Sequence, residues 1–167
     1  LSPNDLITAL LKAPVDLIWN GGIGTYMKSS DESHSDAGDK ANDSLRINGK
    51  QLQCKVIGEG GNLGVTQKAR IEFALKTDGA SFTDFIDNAA GVDCSDHEVN
   101  IKILLNEILV NGDLTEKQRN NLLVSMTDDV AELVLKNNYR QTQAISIATS
   151  EARSRTEEYR RLINSME

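Results

Sequence analysis

The hydrophobic and polar positions of the chain alternate between two periods. Ser2-Pro3-Asn4-Asp5 is a helix-start signal, and Leu6, Leu10 and Leu11 continue an apolar helix face to about Ala13, where Pro14 stops it. "VDLIW" then predicts a short buried strand ending at Asn20, followed directly by the glycine loop "NGGIGTY". The polar, acidic stretch "KSSDESHSDAGDKAND" predicts a surface loop and a short helix near 38–46, and "INGKQL" a turn. "QCKVIGE" is the second predicted strand. Thr66 caps a helix with Ile71, Ala74 and Leu75 on one face, "DGA" ends it, and "SFTDFIDN" predicts a third strand ending at Asn88. Beyond "AAGVDCSDHE" only helices are predicted. One carries Val99, Ile103, Leu104 and Ile108 and ends at Gly112. The next opens on the Thr115/Gln118 capping-box pattern ahead of Leu122, Leu123, Met126, Val130 and Leu133. The last thirty residues have a sparse apolar face, with Ile145, Tyr159 and Leu162 among its members. Strand–helix alternation followed by helices predicts an α/β chain: a parallel sheet of about three strands with crossovers, then a helical region.

Composition narrows the function classes. With 167 residues the chain can bury roughly 70% of its unfolded surface. Its net charge of −7, with no basic cluster, argues against nucleic acid and anionic membranes as partners. The longest apolar stretch is broken by Lys12, Pro14 and Asp16, too early for a bilayer span. Cys54 and Cys94 stand in no C-x-x-C, which fits a reducing cytoplasm, and the start "LSPNDL" reads as cut from a longer protein. His97 has no second His at metal-ligand spacing, so no metal site is expected.

The candidate chemistry lies in the glycine loops. "NGGIGTY" and "GEGGNLGVT" each follow a predicted strand, the position where open α/β sheets bind ligands. The second loop is no G-x-G-x-x-G, because Leu63 stands where the third glycine belongs, and no G-K-[ST] follows it. With "DNAAGV" they place Asn20, Asn62 and Asn88 among small residues. Carboxamides beside an open backbone suit ribose hydroxyls and a nicotinamide amide. Simple tight turns remain the alternative.

"VIGEGGNLGVTQKA" and "DNAAGVDCSDHE", together with "DLIWNGGIGTY" and "CSDHEVNIKILL", resemble the large NAD-specific bacterial glutamate dehydrogenases, over the whole length and most strongly over 14–28 and 54–106. The resemblance implies a partial Rossmann-like sheet, with residues 1–109 as the second half of an NAD-binding domain and 110–167 as a helical extension. By position in the family's motifs, Asn62, Gly61, Asn88 and Asn20 fall on the cofactor side. Val92 and Ser95 fall on the substrate pocket, Ser95 toward the side-chain carboxylate of glutamate. The implied reaction is oxidative deamination of L-glutamate to 2-oxoglutarate and ammonia with NAD. The family's catalytic Lys and Asp and its glycine fingerprint have no counterpart here, so the resemblance leaves no catalytic residue on this chain and implies inactivity in isolation. It also implies dependence on the remaining domains of a parent enzyme, a homo-oligomer and a cytoplasmic location. Against the forms familiar in the common glutamate dehydrogenases the chain departs at Gly61 (for Ala), Gly64 (for Pro), Ala90 (for Gly) and Asp96-His97 (for Tyr-Phe), and Asn20-Gly21-Gly22 stand where common members carry Pro-Ala-Ala. A non-catalytic α/β module whose helices mediate assembly is the competing reading. Blander roles are set beside the sharp ones: Ser95 as a helix cap, His97 on a helix surface, His34 solvated, Cys94 passive, Leu122–Leu133 as core or helix contact, and 29–40 as a solvated insertion.

Overall fold

The computed structural model describes residues 2–167 and falls into two compact units, the first ending at Ala89 and the second being Ala90–Glu167. Helix α1, Pro3–Leu11, begins as its sequence requires. The Ser2 hydroxyl accepts from the Asp5 N–H at 3.2 Å and the Asp5 carboxylate accepts from the Ser2 N–H at 3.0 Å, a reciprocal capping box. Strands β1 (Leu17–Asn20), β4 (Val56–Glu59) and β5 (Ala80–Ser81) form a three-stranded sheet in the order β1-β4-β5. Both pairings are parallel, with Leu17 opposite Val56, Asn20 opposite Glu59 and Val56 opposite Ala80. Strands β2 (Met27–Lys28) and β3 (Ile47–Asn48) make a separate parallel pair. Helix α2, Gln67–Thr77, crosses from β4 to β5, capped by the Thr66 hydroxyl on the Ala69 N–H at 3.1 Å. The core gathers Met27, Ile47, Leu52, Cys54, Ile57, Val65, Ala69 and Phe73.

The α/β reading and the parallel three-stranded sheet are present, with β1 and β4 ending where predicted. The third strand is not as predicted. It stops at Ser81, and Asp84–Asp87 is a turn of helix, α3. Extended backbone there would swing Asp84 and Asp87 away from the Leu63 and Glu59 N–H groups that their carboxylates accept from, at 2.8 and 2.9 Å. Asn88 is therefore the C-cap of α3 and not a strand end. The helix expected near 38–46 reduces to a 3-10 turn, Lys40–Asn42, where the Asp39 carboxylate accepts from the Thr25 N–H and the Asn42 amide, side-chain bonds that compete with helical bonding. "INGKQL" contains β3 and the 3-10 turn Gly49–Gln51. On α2 the buried face is Ala69, Arg70 and Phe73, whereas Ile71 and Leu75 are exposed.

The second unit is helical. Helix α4, Ala89–Val110, starts well before residue 96 and stops ahead of Gly112, whose φ of +82° suits the residue without a Cβ. Helix α5, Glu116–Ser125, carries the predicted capping box, with Thr115 and Gln118 exchanging bonds. Helices α6, Thr127–Glu151, and α7, Thr156–Met166, complete the chain. The predicted Leu122–Leu133 stripe breaks at Met126, and Leu123, Met126 and Val130 border an apolar groove of about 310 Å³ facing Ile101 of α4. No described helix is long and apolar enough to cross a membrane.

The reassigned face of α2 sets a direct test. Phe73 is fully buried, so Phe73→Ala should cost about 3–5 kcal/mol of stability. Leu75→Ala, at an exposed position, should change it by about 0.5 kcal/mol or less. Urea unfolding midpoints of the two variants check this.

Candidate functional site

Alternation along β4 puts Ile57 and Glu59 on the buried side of the sheet. A carboxylate there needs partners, and it has them. Glu59 is 1% exposed; one oxygen accepts from Arg70 Nη2 at 2.7 Å and the other from the Gly64 N–H at 2.9 Å. Its own N–H donates to Asp87 at 2.9 Å. Arg70 also reaches Asp84 at 3.4 Å, and the second Asp84 oxygen takes the Leu63 N–H at 2.8 Å. Burial pushes the Glu59 carboxyl above its ordinary range, opposed by Arg70 and the Gly64 N–H. Burial also raises Asp87, opposed by its bond from the Glu59 N–H and by Arg70. Together these bonds close the loop after β4 back onto its own strand end and hold Leu63 in a left-handed conformation, φ +55°.

Across the top of that loop the structure brings three of the sequence-predicted residues together. Asn88 Nδ2 donates to the Gly61 carbonyl and to Asn62 Oδ1, both at 2.6 Å. A carbonyl can only accept, so Asn88 must turn its amide inward, leaving its own Oδ1 as an acceptor and the Asn62 amide as a donor. Gly61 is small by necessity: a Cβ there would stand 2.7 Å from the Gly22 carbonyl of the neighbouring loop. Asn20 sits lower. Its carboxamide occupies the space a Cβ on Gly64 would need, and its buried Nδ2 has no hydrogen-bond partner among the described residues. A donor and an acceptor side by side, on glycine backbone at the carboxyl ends of parallel strands, fit the amide or ribose hydroxyls of a nicotinamide nucleotide.

Val92 and Ser95 lie in the second unit, both exposed on α4. Ser95 is inside that helix, so it is not a cap. His97 stands one turn from Asp93, at 3.5 Å, and Asn137 donates to Asp93 at 3.0 Å. Cys94 is exposed and Cys54 buried. His34 is not merely solvated: its Nδ1 lies 2.9 Å from Arg46 Nη1. Sequence reasoning passed over Glu59, Arg70, Asp84 and Asp87. The one available signal was a carboxylate at the end of an apolar strand; nothing local pairs it with an arginine eleven positions on.

The family model described as bacterial NAD-glutamate dehydrogenase, catalytic domain, matches residues 1–148. The NAD-specific glutamate dehydrogenase of Pseudomonas aeruginosa is 68% identical over 167 residues, which is 100% of this chain and 10% of that protein. Its counterpart in Halomonas elongata is 62% identical over the same span, again 10% of its length. That of Mycobacterium tuberculosis is 53% identical over 154 residues, 92% of this chain and 9% of the relative. The chain thus spans about a tenth of the length of these curated relatives.

Two outcomes follow from the charge network. Glu59→Gln puts an amide donor against either Arg70 or the Gly64 N–H and leaves the guanidinium without its closest counter-charge. A loss of about 3 kcal/mol is expected in equilibrium unfolding. Asp87 titrates the other way from a surface carboxylate. Because its folded pKa is raised, the folded state binds the proton more tightly, so its contribution is complete below the ordinary carboxylate value and is lost as pH rises through the folded pKa. Asp87→Asn keeps an oxygen for the Glu59 N–H and should flatten that part of the stability–pH curve, as read by thermal unfolding across the acid range.

Proposed function

Because the chain belongs to the bacterial NAD-glutamate dehydrogenase catalytic-domain family, we propose that it supplies the nicotinamide side of an NAD site and one wall of a glutamate pocket in a longer enzyme. The reaction is oxidative deamination of L-glutamate to 2-oxoglutarate and ammonia. The observation that carries this reading is the Asn62–Asn88 pair, set on the Gly61 loop with one donor and one acceptor left without a partner among the described residues. NAD, when bound, supplies the hydride acceptor. Asn62, Asn88 and the bare Gly61 backbone orient it, with Asn20 supporting the loop from beneath Gly64. Ser95 and Val92 serve the substrate, the hydroxyl donating to the side-chain carboxylate of glutamate and the valine walling the pocket. This chain contributes no proton-transfer residue; that chemistry belongs to the rest of the enzyme.

In this proposal residues 1–109 are the second half of a Rossmann-type domain and 110–167 a helical extension. Exposed apolar residues of the helices, such as Leu135, Tyr139 and Ile147, pack on the remaining domains or on another copy in a cytoplasmic homo-oligomer.

Paired variants of the full-length enzyme test the assignment. Ser95→Ala removes a hydrogen bond to a charged group, worth roughly 1.5–3 kcal/mol, so kcat/KM for glutamate should fall about ten- to hundred-fold. The KM for NAD should stay unchanged. Asn62→Ala should show the reverse bias. A folding defect would depress both parameters in both variants, and glutamate kinetics preserved in Ser95→Ala would remove Ser95 from the pocket.

A further inference from the structure

The acidic stretch after β2 is tied to the strand-end loops at both of its ends. Near its start, Glu32 accepts from the Ser29 N–H at 2.7 Å and from the Thr66 hydroxyl at 2.6 Å. Near its finish, Asp39 and Arg46 grip the backbone of Thr25 from opposite sides. The Asp39 carboxylate accepts from the Thr25 N–H at 2.8 Å, and Arg46 Nε donates to the Thr25 carbonyl at 2.7 Å. The Arg46 side chain is fully buried, and its remaining donors meet Asp43 at 2.5 Å, His34 at 2.9 Å and the Asp39 carbonyl. Gly24, at φ +134° and packed against Asn42 and Asp39, leaves no room there for a side chain.

Thr25 passes the constraint on. Its hydroxyl donates to the Leu63 carbonyl at 2.7 Å, and the next two N–H groups, of Tyr26 and Met27, both donate to the Gly64 carbonyl, at 2.8 and 3.1 Å. Asn62 immediately precedes those two carbonyls. The chain of bonds therefore runs from Arg46 and Asp39, through Thr25, to the backbone that carries the Asn62 carboxamide. A lysine cannot reproduce it, because one ammonium lacks the planar fork that reaches Thr25, Asp43, His34 and Asp39 together.

We propose that Arg46 and Asp39 are positioning residues for NAD, locking the 20–26 loop against the 60–66 loop through Thr25. The proposal rests on the reading that Asn62 and Asn88 face the cofactor. It gives the acidic stretch a role in cofactor affinity without contact to the cofactor.

The experiment uses the full-length enzyme and the variants Arg46→Lys, Thr25→Val, Thr25→Ser and Asn62→Ala. Arg46→Lys and Thr25→Val should each raise the KM for NAD about five- to ten-fold, the size of one lost hydrogen bond at the site, with the KM for glutamate within about two-fold. Amide exchange of Leu63–Thr66 in the NAD-free enzyme should quicken in both, while that of α2 beyond its first turn does not. Thr25→Ser keeps the hydroxyl and should restore both readouts. If Arg46→Lys does not fold, Thr25→Val against Thr25→Ser decides alone. An unchanged KM for NAD in Thr25→Val, or an equal loss toward NAD and glutamate, overturns the proposal. If Asn62→Ala weakens NAD while Thr25→Val does not, only the positioning role fails. If Asn62→Ala leaves NAD kinetics intact, the site reading fails and this proposal with it.

Discussion

The buried ion pair between Glu59 and Arg70 is the contact on which the geometry of the strand-end loop depends. Taking a carboxylate and a guanidinium out of water costs several kcal/mol per ion, and their attraction offsets this only when the remaining lone pairs and N–H groups are also satisfied. Here the Gly64 N–H donates to the second Glu59 oxygen and Arg70 donates also to Asp84 and Gln67, while its buried Nε has no partner among the described residues. The requirement propagates outward. To complete the network, Asp84 and Asp87 must approach the loop, so the chain turns helical soon after β5. That turn in turn delivers Asn88 to Asn62.

Glycine acts here through contact distance more than through flexibility. Trp19 lies across Gly58 and Gly60, and a Cβ on Gly60 would stand 2.9 Å from its indole nitrogen. Gly61 lets two loops meet backbone to backbone. Gly64 and Asn20 are coupled: the asparagine side chain fills the space that any side chain at 64 would claim. The result is a carboxamide seated under a glycine.

The acidic stretch shows how composition can mislead. A run rich in Ser, Asp and Glu reads as solvated, and several of its side chains are exposed. Yet Lys28 and Ser29 at its start and Arg46 just after it are buried. Its carboxylates answer one group on each glycine loop, Asp39 accepting from the Thr25 N–H and Glu32 from the Thr66 hydroxyl. The polarity that marks it as a surface loop is what lets it bind other loops.

Features set by neighbours in sequence were legible without the structure. The caps at Ser2, Thr66 and Thr115 join groups three positions apart, and β1 and β4 end where glycine follows an apolar run. The order of these elements, with two glycine loops at strand ends, determined the parallel sheet, and the wording of the loops determined the family. What followed from them was decided elsewhere. Whether 82–88 extended or coiled, which face of α2 was buried, and what the acidic stretch would hold all depended on groups far apart along the chain. Asp84 answers Leu63, Arg46 answers Thr25 and Asn88 answers Asn62, each across twenty or more positions. A local pattern encodes a preference for conformation, but a buried donor takes its acceptor from whichever segment the tertiary path brings within 3 Å, and only the folded chain fixes that path.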